Sequence, residues 1–393
     1  MREREAVVVS PGEVHASDPA TEAGGAVDPP SSRGLLLRLI GLAVGVRVVL
    51  WVVGLWATGD LGSWLSLWSR WDAPHYLRIA QVGYRPWEPE VTGDDGLFIV
   101  FFPLFPLAVR LLAYAVRDLV LSGILVSLAA SVGSGWFLYR LTRLDGDDAR
   151  AWRAVLLLFA FPTAYFLAAP YTEALFLCAV LGAVYAARTG RWATAGGAGA
   201  AATATRISGL ALLPALALEA WKARPHPRGW KGFAPLAMAP LGFVAYLTLN
   251  LVVQGDPFAF LQIQRMHWSQ EAVWPWVPLA DSVARIGSGG LRTDEVIIHW
   301  GRLAAAAGSG AVLLAGRRHL RRPDLVYGGA GLLFFLTASW LISLPRYVLV
   351  LYPLFMVGAR WTGRRLVLAV VLGAGGALQV LLFARYAEGS WTF

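Results

Sequence analysis

The sequence predicts an all-α polytopic membrane protein with about 11 transmembrane helices, and three observations predict it. The chain of 393 residues is 57% hydrophobic. Only 15% of its residues are charged, against about 25% in an ordinary soluble domain. Apolar runs of about 18 residues or more recur along it, as in membrane-spanning helices. This composition excludes soluble enzymes, secreted disulfide scaffolds and disordered chains.

The apolar runs place the individual spans. We expect residues 1–33, which are rich in Pro, Glu, Gly and Ala, to form a disordered cytoplasmic tail, and residues 34–393 to form one transmembrane domain. The number of crossings lies between about 10 and 12, because several candidate runs are short for a span. The candidate spans are 34–57, 119–140, 154–169, 172–187, 192–206, 208–222, 232–254, 298–316, 325–343, 347–360 and 366–384.

The segment 97–117 is apolar enough to be a further span, and the distribution of charge argues against it. If it does not cross, the arginine-rich loops lie on the same side as the N-terminus, which the positive-inside rule favours. We therefore expect a helix along the outer interface there, an N-terminus in the cytoplasm and a C-terminus outside. The basic loops contain Arg140, Arg143, Arg150, Arg153, Arg188, Arg191, Lys222, Arg224, Arg228, Lys231, Arg317, Arg318, Arg321, Arg322, Arg360, Arg364 and Arg365.

Two long loops, 58–118 and 255–297, then face outward and carry interfacial helices. Tryptophan favours the level of the lipid headgroups, so we expect an interfacial position for their tryptophans, which are Trp64, Trp68, Trp71, Trp87, Trp268, Trp274 and Trp276.

The net charge of +9 is explained by topology, so it is no evidence for nucleic-acid binding. Lys222 and Lys231 are the two lysines, and arginine supplies the remaining basic residues. This bias, together with many Ala, Gly and Val residues, suggests a GC-rich bacterial gene. We therefore expect a multi-pass protein of a bacterial plasma membrane.

The strongest candidate for chemistry is the segment Trp71-Asp72-Ala73-Pro74-His75-Tyr76 in the first outer loop. A carboxylate among aromatic rings is partly desolvated, which suits it to act as a general base. His75, three residues after Asp72, would share a helical face with it. A purely structural interpretation remains open, in which Asp72 is the N-cap of a helix with Pro74 in its first turn.

Further polar residues fall on the predicted outer side. Arg206 and Arg346 could each donate two hydrogen bonds to a phosphate, although contact with lipid headgroups is the alternative. Glu173 could serve only the start of a helix capped by Thr172. Arg70, Tyr76 and His267 complete the candidate set, and a lone histidine such as His267 is more often structural than catalytic.

One arginine lies within the membrane. Arg47, midway along the first span, must face protein or water rather than lipid.

Motifs for other enzyme classes are absent from the sequence. It contains no HExxH, CxxC, Walker loop or GxSxG, so metalloprotease, NTPase and serine hydrolase activities lack support. We expect no metal site and no cofactor.

Several segments together resemble the PIG-V type of mannosyltransferase, in the membrane-embedded GT-C class of glycosyltransferases. The more specific ones are the Trp-Asp-x-x-His-Tyr and Phe-Phe-Pro-Leu-Phe-Pro blocks. The segments are Trp71-Asp72-Ala73-Pro74-His75-Tyr76, Ile79-Ala80, Gly83-Tyr84, Phe101-Phe102-Pro103-Leu104-Phe105-Pro106, Tyr171-Thr172-Glu173-Ala174-Leu175-Phe176, Thr205-Arg206, Gly209, Arg346-Tyr347 and Pro353.

The resemblance implies a GT-C-like fold and transfer of mannose, or a related sugar, from a polyprenyl-phosphate sugar at the outer membrane face. It implies inversion at the anomeric carbon, no strict need for a metal, and Asp72 as the catalytic base. We expect a glycan, a glycolipid or a protein as the acceptor. With this resemblance, we expect catalytic roles for Asp72 and His75, and substrate contacts from Arg70, Tyr76, Glu173, Arg206, His267 and Arg346.

Two other functions fit the same composition. A transporter or flippase of lipid-linked sugars would need polar residues deep in the spans and pseudo-symmetry between the halves of the chain, and the spans are poor in such residues. A non-catalytic assembly subunit that keeps the fold is the third possibility.

Overall fold

A computed structural model describes residues 31–86, 93–224, 229–339 and 341–393. Most of the predicted tail, as well as Trp87, lies outside the described residues. Within these ranges the chain forms α-helices and shorter 3₁₀ helices and no β-strand beyond one bridge between Ala272 and Ala338. The prediction of an all-α polytopic membrane protein is confirmed.

Sixteen α-helices are formed by the described residues. They are α1 Ser32–Thr58, α2 Asp72–Val82, α3 Leu104–Val116, α4 Leu119–Arg143, α5 Asp148–Phe159, α6 Glu173–Arg188, α7 Trp192–Thr205, α8 Leu213–Lys222, α9 Leu241–Gln254, α10 Ala259–Trp268, α11 Val277–Ser288, α12 Thr293–Gly316, α13 Arg322–Leu336, α14 Leu344–Tyr347, α15 Pro353–Trp361 and α16 Arg365–Ala387.

Five helical segments in the described ranges are long and apolar enough to cross a membrane. They are α1, α4, α12, α16 and Gly229–Gln254, which joins a 3₁₀ helix to α9. Each has 23 to 27 residues. At about 1.5 Å per residue, such a helix exceeds the roughly 30 Å of hydrocarbon in a bilayer.

The remaining predicted spans are shorter helices or pairs of helices. The predicted span 154–169 consists of α5, which ends at Phe159, and a 3₁₀ helix over Ala164–Leu167. Pro162 lies between them, and proline has no N–H with which to continue an α-helix. The span 347–360 is likewise divided, between the 3₁₀ helix Val348–Val350 and α15, which begins at Pro353.

The segment 97–117 contains α3, which has 13 residues. At about 1.5 Å per residue it is about 20 Å long, shorter than a membrane span. It packs against α2 and α4. Its length therefore fits the predicted interfacial helix.

Polar contacts define two ends of the helix bundle. At the basic end, Arg140 near the end of α4 donates to the Ser32 hydroxyl at the start of α1, 2.9 Å away. At the same end Arg188 forms an ion pair with Asp145, and Arg321 forms one with Glu219. At the other end, which we call the site end, the start of α2 meets the end of α16 and the starts of α6 and α14.

Close backbone packing fixes the central helix α7. A Cβ on Gly242 of α9 would lie 1.9 Å from the carbonyl oxygen of Ala200, and a Cβ on Gly196 would lie 2.0 Å from that of Pro235. Glycine therefore lets α7 touch its neighbours through backbone atoms, as small residues do between membrane helices. This contact fixes the end of α7, where Arg206 follows.

Arg47 is buried within α1, as its position in the span predicts. Its guanidinium donates to the carbonyl oxygens of Ala43 and Leu167 and to the Ser131 hydroxyl, at 2.7 to 3.0 Å. These partners are neutral oxygens, so the charge is solvated by backbone and hydroxyl dipoles within the bundle.

The tryptophans of the two long loops do not share one environment. Trp274 and Trp276 are exposed and stacked, with centroids 5.1 Å apart. The prediction of an interfacial ring is wrong for Trp68, which is only 3% exposed and packs on Phe383. Trp71 and Trp268 instead line a cavity at the site end.

Candidate active site

The backbone that leads into α2 is strained and firmly held. Trp71 has φ 55° and ψ −109°, a left-handed conformation that costs a non-glycine residue about 1–3 kcal/mol. The N–H of Asp72 donates to the Tyr171 hydroxyl at 3.2 Å, and that hydroxyl donates to the Arg70 carbonyl at 2.8 Å. The Tyr386 hydroxyl donates to the Trp68 carbonyl at 2.9 Å. Two buried tyrosines thus hold the segment before Asp72.

Asp72 is the first residue of α2, and its side chain makes an ion pair. The cap position belongs to Trp71, so the interpretation of Asp72 as only an N-cap is wrong. Its Oδ2 accepts a hydrogen bond from Nη1 of Arg346 at 2.9 Å, and 27% of its side chain is exposed. The carboxylate is therefore both paired and accessible.

Glu173 joins the two arginines of the site. Its side chain is 0% exposed, and its Oε1 accepts a hydrogen bond from Nη1 of Arg206. The same oxygen lies 3.3 Å from Nε of Arg346. The sequence places Glu173 in the first turn of α6, where the helix dipole favours a carboxylate.

Thr172 differs from its predicted role. It occupies the N-cap position of α6, but its side chain makes no capping hydrogen bond. Its Oγ1 instead accepts a hydrogen bond from Nη1 of Arg206 at 3.0 Å. The capping role gives way because the guanidinium of Arg206, only 16% exposed, needs acceptors.

Aromatic rings surround both guanidinium groups. The Arg346 guanidinium carbon lies 5.2 to 5.4 Å from the ring centroids of Phe166, Tyr171 and Tyr347, and that of Arg206 lies 5.2 Å from Tyr347. Cation–π attraction is strongest where water is excluded. Two carboxylates and two guanidiniums therefore form one charge-balanced network within an aromatic shell.

A cavity of about 440 Å³ opens beside this network. Asp72, His75, Tyr76, Arg206 and Arg346 all line it. Apolar side chains from the end of α13 and from the segment after it, such as Phe334, Phe335 and Ile342, form part of its wall. A space of this size with a few convergent polar groups is typical of a small-molecule site.

His75 and Tyr76 are held by the Phe-Phe-Pro-Leu-Phe-Pro block. His75 stacks on Phe101 with centroids 5.2 Å apart, and Tyr76 makes edge contacts with Phe101 and Phe105. Burial, followed by the charge of Asp72, raises the pKa of the Tyr76 hydroxyl well above its usual value. Tyr76 is therefore neutral near pH 7 and can only donate or accept a hydrogen bond.

The structure does not bring all the predicted site residues to the cavity. Glu173 lies behind it and acts through the two arginines. Arg70 points to the end of α16, where its Nη2 donates to the Ala387 carbonyl at 2.8 Å. His267 is exposed on α10, while its neighbour Trp268 lines the cavity.

The cavity is also lined by residues to which the sequence assigns no contact with substrate. They are Trp71, Trp268, Trp391, Gln264 and Gln270. The sequence predicts interfacial positions for Trp71 and Trp268, and nothing in the local sequence singles out Trp391. Only its packing in three dimensions identifies it.

The acidic, imidazole and thiol side chains of the described residues do not cluster as a metal site would require. In the part of the chain that the structure describes, no three His, Cys, Asp or Glu residues converge to hold a metal ion. Asp72 and Glu173 are instead bridged by Arg346.

The fold and this site together define a polytopic all-α membrane protein with a charged cavity at one end of its bundle. Residues 60–221 match the family model described as Mannosyltransferase (PIG-V). The resemblance seen in the sequence is confirmed over these residues, which make up less than half of the chain. The matched region includes Asp72, Glu173 and Arg206, whereas Arg346 lies beyond it. No curated protein matches the chain.

Proposed function

We propose that the chain transfers a mannosyl or closely related residue from a polyprenyl-phosphate sugar to an acceptor hydroxyl, with inversion and with Asp72 as general base. The observation that carries this proposal is the ion-pair network from Asp72 through Arg346 and Glu173 to Arg206, at the wall of the cavity. The family match supports the transfer of mannose.

The base is the first part of the mechanism. The acceptor oxygen attacks the anomeric carbon, the bond from that carbon to the phosphate oxygen breaks, and the configuration inverts. Asp72 takes the proton that the acceptor hydroxyl loses, for which its carboxylate must reach the cavity. It lines the cavity, and the partly exposed carboxylate meets this requirement.

The second part of the mechanism is stabilisation of the leaving phosphate by the two arginines. The leaving polyprenyl phosphate gains one negative charge as the bond breaks, and fixed cationic donors stabilise it. Protonation of Asp72 weakens its pairing with Arg346 at the same moment, so that guanidinium becomes available to the phosphate. Arg206 lines the cavity and uses Nη1 for Glu173 and Thr172, which leaves its other N–H groups to face a ligand.

The distribution of arginine supports a position for the site on the outer side of the membrane. The ion pairs Arg188–Asp145 and Arg321–Glu219 lie at the basic end, together with most of the loop arginines, and the cavity lies at the site end. The positive-inside rule supports a cytoplasmic basic end and therefore catalysis at the outer face of a bacterial plasma membrane. The phenyl rings of Phe334 and Phe335 would contact the first prenyl units of the donor.

The direct test replaces Asp72 with Asn, which keeps the shape of the side chain and removes the base. We expect transfer from a polyprenyl-phosphate mannose donor to fall by about 10²–10⁴-fold, the usual contribution of a general base. The exposed Asp281, paired with Arg285 on α11, provides the matched control, and Asp281→Asn should transfer normally. Near-normal turnover by a correctly inserted Asp72→Asn protein would exclude Asp72 as the base.

A further inference from the structure

Two indole rings contact each other in the wall of the cavity that Asp72 also lines. Trp71 precedes the proposed base, and Trp391 comes from the last residues of the chain. Their centroids are 4.8 Å apart and their planes are at 75°, an edge-to-face pair. Both rings line the cavity. Residues 320 positions apart in sequence (391 − 71) thus form one wall of the site.

The position of Trp71 is unfavourable for an ordinary core residue. Its φ of 55° is one that glycine adopts readily, yet the chain places its largest side chain there. The residue is 41% exposed, so burial of the ring does not explain it. The strained backbone instead directs an accessible indole toward the cavity beside the carboxylate.

Trp391 is held in place by the contacts of the two residues that follow it. The Tyr165 hydroxyl donates to Oγ1 of Thr392 at 2.9 Å, and the Phe393 ring lies against Gly301, where a Cβ would be 2.5 Å away. The indole Nε1 of Trp391 is shielded from solvent and makes no hydrogen bond within the described residues. A rigidly held ring whose own donor is unused is suited to contact a ligand with its surface.

Uncharged hydrogen-bonding groups lie across the same cavity. Gln264 and Gln270 line it, and the structure gives their side-chain amides no partner among the described residues. Gln270 lies next to a segment that is hydrogen-bonded to the end of α13 and the residues after it. The Ser339 N–H donates to the Glu271 carbonyl at 2.8 Å, and the Val273 N–H donates to the Thr337 carbonyl at 2.7 Å.

We propose that Trp71 and Trp391 form the acceptor subsite, and that the acceptor which it binds is a carbohydrate. This inference rests on the proposed function and specifies its acceptor. A pyranose ring has an apolar C–H face that packs on an indole and a rim of hydroxyls that bind amides, which are the two surfaces found here. Stacking of that ring on the indoles brings one hydroxyl to Asp72.

The first experiment compares transfer with hydrolysis of a polyprenyl-phosphate mannose donor, using methyl α-D-mannopyranoside as acceptor. Loss of a stacking ring in Trp391→Ala should raise the KM for the acceptor by about tenfold and lower the ratio of transfer to hydrolysis by about the same factor. Trp391→Phe should restore most of this ratio, because the ring remains and the lost Nε1 has no protein partner. Trp274→Ala, which removes an exposed indole outside the cavity, is the control and should behave as the native protein.

Equal falls in transfer and hydrolysis, with an unchanged KM for the acceptor, would mean that Trp391 only positions Asp72 and would overturn the subsite. Preferential transfer to a serine- and threonine-containing peptide would overturn the carbohydrate assignment.

A second readout needs no turnover. Saturation-transfer NMR should detect methyl α-D-mannopyranoside on the native protein and on Trp274→Ala, but not on Trp391→Ala. If that contact is seen while the native protein neither transfers nor hydrolyses the donor, the proposed function fails and the sugar subsite stands. If the contact is absent from the native protein, the subsite fails.

Discussion

Glu173 is the side chain on which the proposed phosphate site depends, although it does not line the cavity. Its buried carboxylate pairs with Arg206 and Arg346, so Glu173→Gln leaves two neighbouring guanidiniums with Asp72 as their one acidic partner in the network. The amide keeps an oxygen for Arg206 but carries no charge. The variant therefore tests whether the charge of Glu173 sets the positions of the two arginines.

The size of the effect follows from burial. Removal of one partner from a buried ion pair costs about 3–5 kcal/mol. For a chain of this length, at about 2 °C per kcal/mol, the midpoint of thermal unfolding should fall by roughly 6–10 °C. Misplaced donors around the leaving phosphate should lower transfer by about 10²–10³-fold, as removal of one oxyanion-stabilising donor does in other enzymes.

The assay measures the transfer rate per folded molecule in detergent or proteoliposomes, together with the unfolding midpoint. Glu219→Gln is the matched control, because Glu219 is also buried and binds both terminal nitrogens of Arg321, at 2.7 and 3.1 Å, at the basic end. We expect it to destabilise the protein without lowering the specific rate. A native specific rate in Glu173→Gln would refute the role of its charge.

Two further predictions concern Arg346 and helix packing. Lysine lacks the planar fork that lets Arg346 meet Asp72 and Glu173 together. Arg346→Lys should therefore lower kcat/KM for the donor by at least about 10²-fold in initial-rate measurements, and a native value would contradict the phosphate role. Gly242→Ala should lower the midpoint of thermal unfolding, because the new Cβ would overlap the Ala200 carbonyl at a cost of about 1–3 kcal/mol. Gly373→Ala is the control and should not lower the midpoint, because no atom lies within 4 Å of the new Cβ.

The overall architecture was predictable because a bilayer imposes simple rules. A span needs a long apolar run, and all five of the long helical segments overlap predicted spans. These segments are α1, α4, α12, α16 and Gly229–Gln254. The breaks in the shorter spans were less visible. Pro162 interrupts the second half of 154–169, but hydrophobicity alone does not reveal where a helix gives way to a 3₁₀ turn.

The candidate site was predictable residue by residue but not as a network. The sequence identifies Asp72 and Arg346 separately, yet their ion pair joins residues 274 positions apart, which no local pattern encodes. The local sequence predicts that Thr172 caps α6. In the structure its hydroxyl instead accepts a hydrogen bond from Arg206. Trp391 had no local signal, because its place in the wall depends on how the end of the chain folds back.

The buried Arg47 constrains the order in which the protein can be assembled during synthesis. Its hydrogen-bond partners Ser131 and Leu167 follow it by 84 and 120 residues. An unpartnered arginine near the centre of a helix costs about 2.5–3.5 kcal/mol on insertion. When α1 first leaves the ribosome, Arg47 therefore lacks two of its final acceptors. The helix that enters the bilayer first can reach its native position only after the α5–α6 connection has been made.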